Sequence, residues 1–442
     1  MDKETLTSLD RARIKFVRVL WCDNANIIRG KAIHRKRLES YLTHGVGITA
    51  AQQALPVMSD AVVEDSGLGP VGEIRLIPDL TTLTLLPYAK GQARMIGDMV
   101  LGEKSWPYCP RAFLKRMIAA AKQEGIEVVA AFENEFYLLQ ADGVTPVDDT
   151  VFAATLSMDL HQQVIDDIAD ALIEQGMTVE LYHPESGPGQ QEISTLHCNA
   201  LGAADQQIAF RETVKAIAFK HNLKASFLPK IFPDHAGSGC HIHLSLWKDG
   251  QNLLPSADNN RQLSSIAQQF IAGILKHLPA LMAITTPSSN SYRRLQPQHW
   301  SGAYNCWGYD NREAAVRVPS NPTIPSPTHF EVKTVDASAN PYLALGAIIA
   351  AGLDGMTNQL KLPEPVQVDP AILTEEEREN LGIKRLPINL GEAIKYLQQN
   401  KMLLTALGAS LAQSFIAVRL KEWSVMKDWE LEQEVKLLLE RY

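Results

Sequence analysis

No apolar run in the 442-residue chain reaches the roughly 18 residues that a membrane span needs. The most apolar helical stretch, over 343–353, is interrupted by Gly346 and Gly352 and ended by Asp354. The charged start Met1-Asp2-Lys3-Glu4 lacks the apolar segment of a signal peptide. Cysteine is scarce too: Cys22, Cys109, Cys198, Cys240 and Cys306 are odd in number and far apart, with no C-x-x-C. That argues against a zinc knuckle and a disulfide framework, and a reducing cytoplasm is the expected location. Positive charge is nowhere concentrated. The net charge is −8 and no Lys/Arg block stands out, which argues against a nucleic-acid footprint. There is no Walker A motif. Gly237 and Gly239 do not form a dinucleotide fingerprint either, because a histidine-bearing strand follows them instead of a helix. Internal repeats and low-complexity tracts are absent as well.

What is there has the composition of an ordinary globular protein, 45% hydrophobic and 21% charged, in a chain long enough for two or three domains. Over the first hundred residues the patterning predicts a helix over 5–13 and strands over 15–22 and 27–33 joined by an Asp23-Asn24-Ala25-Asn26 turn. A helix over 35–44 and short strands over 73–77, 82–86 and 93–99 complete a small α+β unit. The proline-bounded joint Trp106-Pro107-Tyr108-Cys109-Pro110 then divides the chain into residues 1–106 and 107–442. In the second part, helices are predicted over 111–124, 158–175, 203–222, 263–277 and 339–356, with three more from Leu390 onward. Strands are predicted over 126–138, 178–183, 224–228, 241–247, 314–318 and 330–335. The polar segment 287–311 reads as a long functional loop.

The stretch Phe132-Glu133-Asn134-Glu135-Phe136-Tyr137-Leu138 organises the rest. Side chains alternate along a strand, so Glu133 and Glu135 share one face. Two carboxylates on one face repel and are costly to bury unless something positive lies between them, and divalent cations take hard oxygen ligands. Further along, Glu185 and Glu192 flank a Gly-Pro-Gly turn that lets a ligand approach the backbone. His241, His243 and Ser245 share a strand face, as do Glu331 and Lys333, while Arg294, Arg312 and Arg317 lie in and after the long segment. Each has a plainer explanation: exposed acids, satisfied histidines, a same-face ion pair, a solvated loop. Taken together they are the inventory for metal-nucleotide phosphoryl transfer, with acids for two or three divalent ions and arginines for phosphate and carboxylate charge.

The motifs E-N-E-F, E-S-G-P-G-Q-Q-E, G-S-G-C-H-I-H-L-S-L, N-S-Y-R-R-L-Q-P, N-R-E-A-A-V-R-V-P and F-E-V-K-T-V-D-A-S-A-N-P-Y-L occur in the order found in glutamine synthetases, over roughly residues 130–355. The whole chain resembles that family. The resemblance implies an α+β fold, with an N-terminal β-grasp domain and a catalytic domain built on a mainly antiparallel sheet with flanking helices. It implies Mg2+ or Mn2+, two or three per site, with ATP as co-substrate. It implies that Glu135, Glu185 and Glu192 hold the metal beside the amino acid, and Glu133, His241 and Glu331 the metal beside the ATP phosphates. Gly237, Arg294 and Lys333 would hold glutamate, His243, Ser245 and Arg317 would contact nucleotide, and Arg312, Arg317 and Lys333 would act on the transferring phosphoryl group. It also implies a ring-shaped homo-oligomer, a dodecamer or decamer, with each site completed by a neighbour's N-terminal domain.

Departures from the family pattern bear on the nitrogen substrate. The two carboxylates that family members use for ammonium correspond here to Thr49, in Gly47-Ile48-Thr49-Ala50-Ala51-Gln52, and to Trp300. Lys333 stands where arginine is usual, keeping the charge but not the fork. The tyrosine used for adenylylation in some bacterial members has no counterpart over 373–387. Losing two acids and gaining an indole should weaken ammonium binding and suit an alkylamine, whose carbon chain buries against aromatic surface while its ammonium end stacks on it. The expected activity is therefore a γ-glutamyl-amine ligase, like the family's γ-glutamylpolyamine, γ-glutamylethanolamide and γ-glutamylmethylamide synthetases. The amine must shed a proton, and Asp60, Glu64 and Asp65 are candidate acceptors. An ammonium-using glutamine synthetase, a catalytically silent relative and a guanidino-kinase-like phosphoryl transfer are the alternatives.

Overall fold

The computed structural model describes residues 9–259, 261–320 and 327–442. Residues 5–8 of the helix predicted over 5–13 lie outside these; of the remainder, residues 9–11 are helical. The N-terminal hairpin joins β1 (Phe16–Cys22) to β2 (Ile28–His34). Its turn is fixed by Asp23, whose carboxylate accepts the backbone N–H groups of Ala25 and Ile27 at 2.9 Å and Arg29 Nε at 2.6 Å. With β3 (Val46–Thr49), β4 (Glu73–Pro78) and β5 (Gln92–Leu101) it forms a sheet ordered β2-β1-β5-β4-β3, in which β1 and β5 run parallel. The alternating side chains Val17, Val19, Trp21, Ile48, Ile74, Leu76, Met95 and Met99 are buried in one core beneath it, giving a β-grasp-like unit. The first helix after the joint, α1 (Pro110–Gln123), ties onto this unit through buried Arg111. Its guanidinium bonds Asp79, Asp98 and Asp205 at 2.8–3.0 Å.

The strand predicted to lead into the glutamate pair is one continuous strand, β6 (Glu127–Gln140). It lies inside a sheet with β7 (Val179–Pro184), β8 (Gln190–Thr195), β9 (Cys240–Lys248), β10 (Tyr304–Tyr309), β11 (Ala314–Val318), β12 (Phe330–Val332) and β13 (Lys384–Arg385), ordered β13-β10-β11-β12-β9-β6-β8-β7. All neighbours on this path are antiparallel except β10 and β11. The core face of β6 buries Phe132, Phe136 and Leu138. Asn134 on that face is satisfied by Gln207 of α2 (Ala200–Lys220), at 2.7 and 2.8 Å. The opposite face carries the acids.

Two expectations change in detail. Segment 287–311 is not one long loop: it contains a helical turn, Ser291–Arg294, and all of β10. Its buried Tyr304, Cys306 and Trp307 are masked in sequence by Asn305, Gly308 and Asp310. Four helices, not three, close the chain from Leu390, because Asn400 caps a new start at Leu403 N and Gly408 turns at φ +84°. Among the described residues no single helix is long and apolar enough to cross a membrane; the pair Lys401–Leu407 and Ala409–Met426 is bent by 110°.

Behind the sheet, α3 (Ser265–Thr285) and α4 (Pro341–Thr357) cross at Gly273 and Gly355, where a Cβ on Gly355 would lie 2.0 Å from Gln269 O. Backbone cannot yield as a flexible side chain can. Gly355→Ala should therefore lower stability by about 1–3 kcal/mol, seen as a lower thermal midpoint with unchanged far-ultraviolet circular dichroism.

Candidate active site

Strand register puts the predicted residues on one sheet face in successive rows. Arg317 on β11 lies opposite Glu331 on β12, which lies opposite His243 on β9. His241 lies opposite Glu133. Glu135 lies opposite Glu192 on β8, and Glu192 opposite His183 on β7. Like charges facing each other across a ladder are destabilising, so the Glu135–Glu192 pair needs neutralisation.

For Glu133 and Glu331, histidines and basic residues supply such neutralisation. His241 Nδ1 lies 3.0 Å from both Glu133 Oε1 and Glu331 Oε1, and His243 Nε2 lies 3.0 Å from Glu133 Oε2. Lys333 Nζ donates to Glu331 at 2.9 Å and Arg317 Nη1 to the same carboxylate at 3.1 Å. Burial pushes the Glu133 carboxyl up, but the bonds from His241 and His243 outweigh it and hold the group below its usual range. Glu331 is held well below that range against its burial, first by Lys333 and then by His241. Toward β8 the balance reverses. Burial and repulsion from Glu185 raise Glu135 despite His241. Burial, followed by the charges of Glu133, Glu135, Glu185 and Glu331, pushes Glu192 up to about 10.

Among the described residues, donor atoms converge in three groups, each with its atoms within 4.8 Å of one another: Glu133, Glu135 and His241; Glu133, His243 and Glu331; His183, Glu185 and Glu192. His183 is the member that the sequence reading omitted. Its signal was present, because it stands two residues before Glu185, with Nε2 3.1 Å from that carboxylate. A divalent cation suits this donor set: hard oxygens with imidazole nitrogens. One buried nitrogen, His241 Nε2, has no hydrogen-bond partner and lies 3.8 Å from Glu135 Oε1. A cation at the His183–Glu185–Glu192 group would need Glu192 as carboxylate, so burial that raises Glu192 makes binding there release its proton. Titrating Mn2+ at pH 7 should release about one proton per cation at this group, read from the dependence of the calorimetric enthalpy on buffer ionisation heat. Glu192→Gln should abolish that release.

A cleft of about 560 Å³ opens over this face, lined by Glu133, Glu135, Glu185, Glu192, Gly237, His241, Arg294, Trp300, Arg312 and Lys333 among others. A Cβ on Gly237 would lie 2.5 Å from Pro229 O and 2.6 Å from Arg294 Cγ, so only glycine fits beside that arginine. Arg294 is buried and donates to Lys333 O at 3.2 Å and Val335 O at 3.0 Å, leaving Nε without a partner. Trp300 stands half exposed at the rim, with the Arg312 guanidinium 5.9 Å from its ring centre. A second cavity of about 500 Å³ on the other side of Glu133 is lined by His243, Ser245, Trp247, His197 and His329. Glu133 therefore borders both spaces.

The other predicted residues lie elsewhere. Thr49 ends the exposed edge strand β3, opposite Glu73, and does not line the cleft. Glu64 and Asp65 line a separate cavity against Gln413, Ile416 and Leu420; Asp60 lines neither space.

Comparisons with known proteins cover nearly the whole chain. The sequence profile described as "Glutamine synthetase N-terminal domain" matches residues 4–105, and "Glutamine synthetase, catalytic domain" matches residues 107–437. The chain is 37% identical to "Gamma-glutamylpolyamine synthetase GlnA3" of Streptomyces coelicolor, over 91% of this chain and 88% of that one. It is 35% identical to "Type-1 glutamine synthetase 1" of Dictyostelium discoideum, over 100% of this chain and 92% of that one. Among solved structures, a complex of GmaS with ADP superposes with a TM-score of 0.86 at 28% identity, covering 98% of both chains. A structure described as a novel glutamine synthase homolog superposes equally well at 31% identity, covering 97% of this chain and 99% of that one.

Proposed function

The chain belongs to the glutamine synthetase family of ATP-dependent ligases, and from that premise we propose that it joins the γ-carboxylate of glutamate to a primary amine. Glutamate + ATP + amine would give γ-glutamylamide + ADP + phosphate. The γ-carboxylate oxygen attacks the terminal phosphorus of ATP and ADP departs. The amine nitrogen then attacks the resulting acyl phosphate, losing one proton, and phosphate leaves with the C–O bond pair. The observation that carries the choice of amine is the rim of the cleft. An indole, Trp300, with Arg312 beside it, lines the cleft at the position where the family resemblance implies an ammonium-holding carboxylate. The relative named for γ-glutamylpolyamine synthesis supports the same choice.

Residue roles follow from position. Glu133, Glu331, His241 and His243 would hold a divalent cation on the nucleotide side, and Glu135, Glu185, Glu192 and His183 one on the glutamate side. Such cations supply charge neutralisation at the phosphoryl oxygens. Arg294 and the backbone at Gly237 would receive glutamate, with Lys333 tethered to Glu331 beside them. Arg312 and Arg317 would balance charge on the transferring phosphoryl group, as guanidinium forks do. His243 and Ser245 line the nucleotide-side cavity. The division at residues 106 and 107 and a ring-shaped homo-oligomer belong to the same proposal, since Thr49 could reach a cleft only on a neighbouring subunit.

The test is ADP release, coupled to NADH oxidation, over a panel of ammonium, methylamine, ethanolamine, a short diamine and a long polyamine. At least one amine should exceed ammonium in kcat/KM by about tenfold or more, worth about 1.4 kcal/mol. Ammonium exceeding every amine would favour the second reading, an ammonium-using glutamine synthetase, the activity in the name of the Dictyostelium relative.

A further inference from the structure

The geometry points to Glu313 as the positioning residue that sets Trp300 over the cleft and, through it, governs which nitrogen nucleophile is accepted. This rests on the proposed amine-ligase reading for the identity of the nucleophile, though not for the mechanical role.

Glu313 immediately precedes β11 and is 7% exposed. Its two carboxylate oxygens face the rim loop, not the cations of the sheet. Oε1 accepts the backbone N–H of Trp300 at 2.8 Å, and Oε2 accepts that of Gln298 at 3.2 Å. Both of these residues have left-handed backbones, with φ +52° at Trp300 and +62° at Gln298. A bulky side chain rarely adopts that conformation unless the surroundings impose it. One buried carboxylate, bonded to both strained N–H groups through charge-assisted hydrogen bonds, imposes it here. The backbone of Glu313 is itself fixed from behind. Asn311 Oδ1 accepts the Glu313 N–H at 3.0 Å, and Asn311 Nδ2 donates to Val366 O at 2.9 Å and Val368 O at 3.0 Å. The neighbouring Arg312 reaches over the Trp300 ring. The segment Asn311-Arg312-Glu313 thus holds the indole from two sides, while Gln298, His299 and Trp300 all line the cleft.

The need for glutamate at this position is specific. A glutamine has nearly the same shape but offers one acceptor and one N–H2 donor, so one of the two loop N–H groups would face another donor. Glu313→Gln should raise KM for the preferred nitrogen nucleophile by about tenfold or more while leaving KM for ATP and for glutamate within about twofold of wild type. Acrylamide quenching of the Trp300 contribution, obtained by difference from Trp300→Phe in each background, should increase. In a Trp300→Ala background the effect of Glu313→Gln on KM should vanish. Should Glu313→Gln fail to assemble, Glu313→Asp, which withdraws both oxygens by one methylene, should shift the same quantities in the same direction. Equal changes in all three KM values, or the same loss in the Trp300→Ala background, would overturn the proposal. If wild type prefers ammonium the amine reading fails, yet a nucleophile-specific KM change would still support Glu313 as the residue that sets the rim.

Discussion

Glu135→Gln should lower kcat by about 10³-fold or more, equal to about 4 kcal/mol, while the protein still binds metal-nucleotide. The substitution keeps the shape of a side chain that is boxed in on every side. Glu135 Oε2 accepts Gly239 N–H at 3.0 Å and Gln190 Nε2 at 3.3 Å, and Oε1 approaches His241. What changes is charge, at the one carboxylate that faces Glu192 directly across the ladder. A neutral amide oxygen coordinates a divalent cation more weakly than a carboxylate, because it removes one of the negative charges that balance it. Its N–H2 would also point toward groups that themselves donate. The loss should fall on the glutamate side, because Glu135 lines only the larger cleft, whereas Glu133 borders both cavities. Glu133→Gln should therefore weaken Mn2+-nucleotide binding first, in calorimetric titration, with turnover falling as a consequence. Turnover by Glu135→Gln above a tenth of wild type would remove it from the cation site. Loss of nucleotide binding equal to that of Glu133→Gln would merge the two sides into one.

Much of this site could be read in the sequence because it depends on a period of two. Glu133 and Glu135, His241 and His243, and Glu331 and Lys333 each share a face by alternation alone; the sheet bears this out for the first two pairs, while Lys333 lies one residue past β12 and meets Glu331 through its Nζ at 2.9 Å. Register between strands is another matter. The opposition of Glu135 to Glu192, or of Glu331 to His243, arises from pairing between segments tens of residues apart. No local pattern encodes it. His183 was missed for a related reason: its partner Glu192 lies across a turn, and Pro184 disguises the same-face spacing to Glu185. The strand Tyr304–Tyr309 was hidden by its own polar residues, which turn toward local partners; Asn305 Nδ2, for example, donates to Leu275 O at 3.0 Å. Glu313 carries no signal in sequence, because its function is to accept two N–H groups from a loop whose conformation only the tertiary structure defines.

Restoring acids at the two departed positions should redirect the enzyme toward ammonium. In Thr49→Asp with Trp300→Glu, the ratio of kcat/KM for ammonium to that for the best amine should rise by about 10²-fold. That corresponds to roughly 3 kcal/mol, the value of two hydrogen bonds to charged groups at about 1.5 kcal/mol each. Position 300 should contribute on its own. Its side chain lines the cleft, and its left-handed backbone, held by Glu313, accepts glutamate at no greater cost than tryptophan. Removing the indole would also remove the apolar surface against which the proposed amine's alkyl chain would pack, so the amine should lose while ammonium gains. Position 49 is the sharper test. Thr49 lies on an exposed edge strand and does not line the cleft of its own chain, so an aspartate there can act only across a subunit boundary. The ratio measured for the double variant against Trp300→Glu alone therefore reports on assembly as well as on specificity. A further gain from Thr49→Asp requires a neighbour's β3 at the cleft. No gain, in a preparation that light scattering finds to be oligomeric, would mean that the N-terminal unit of the neighbour approaches some other part of the rim.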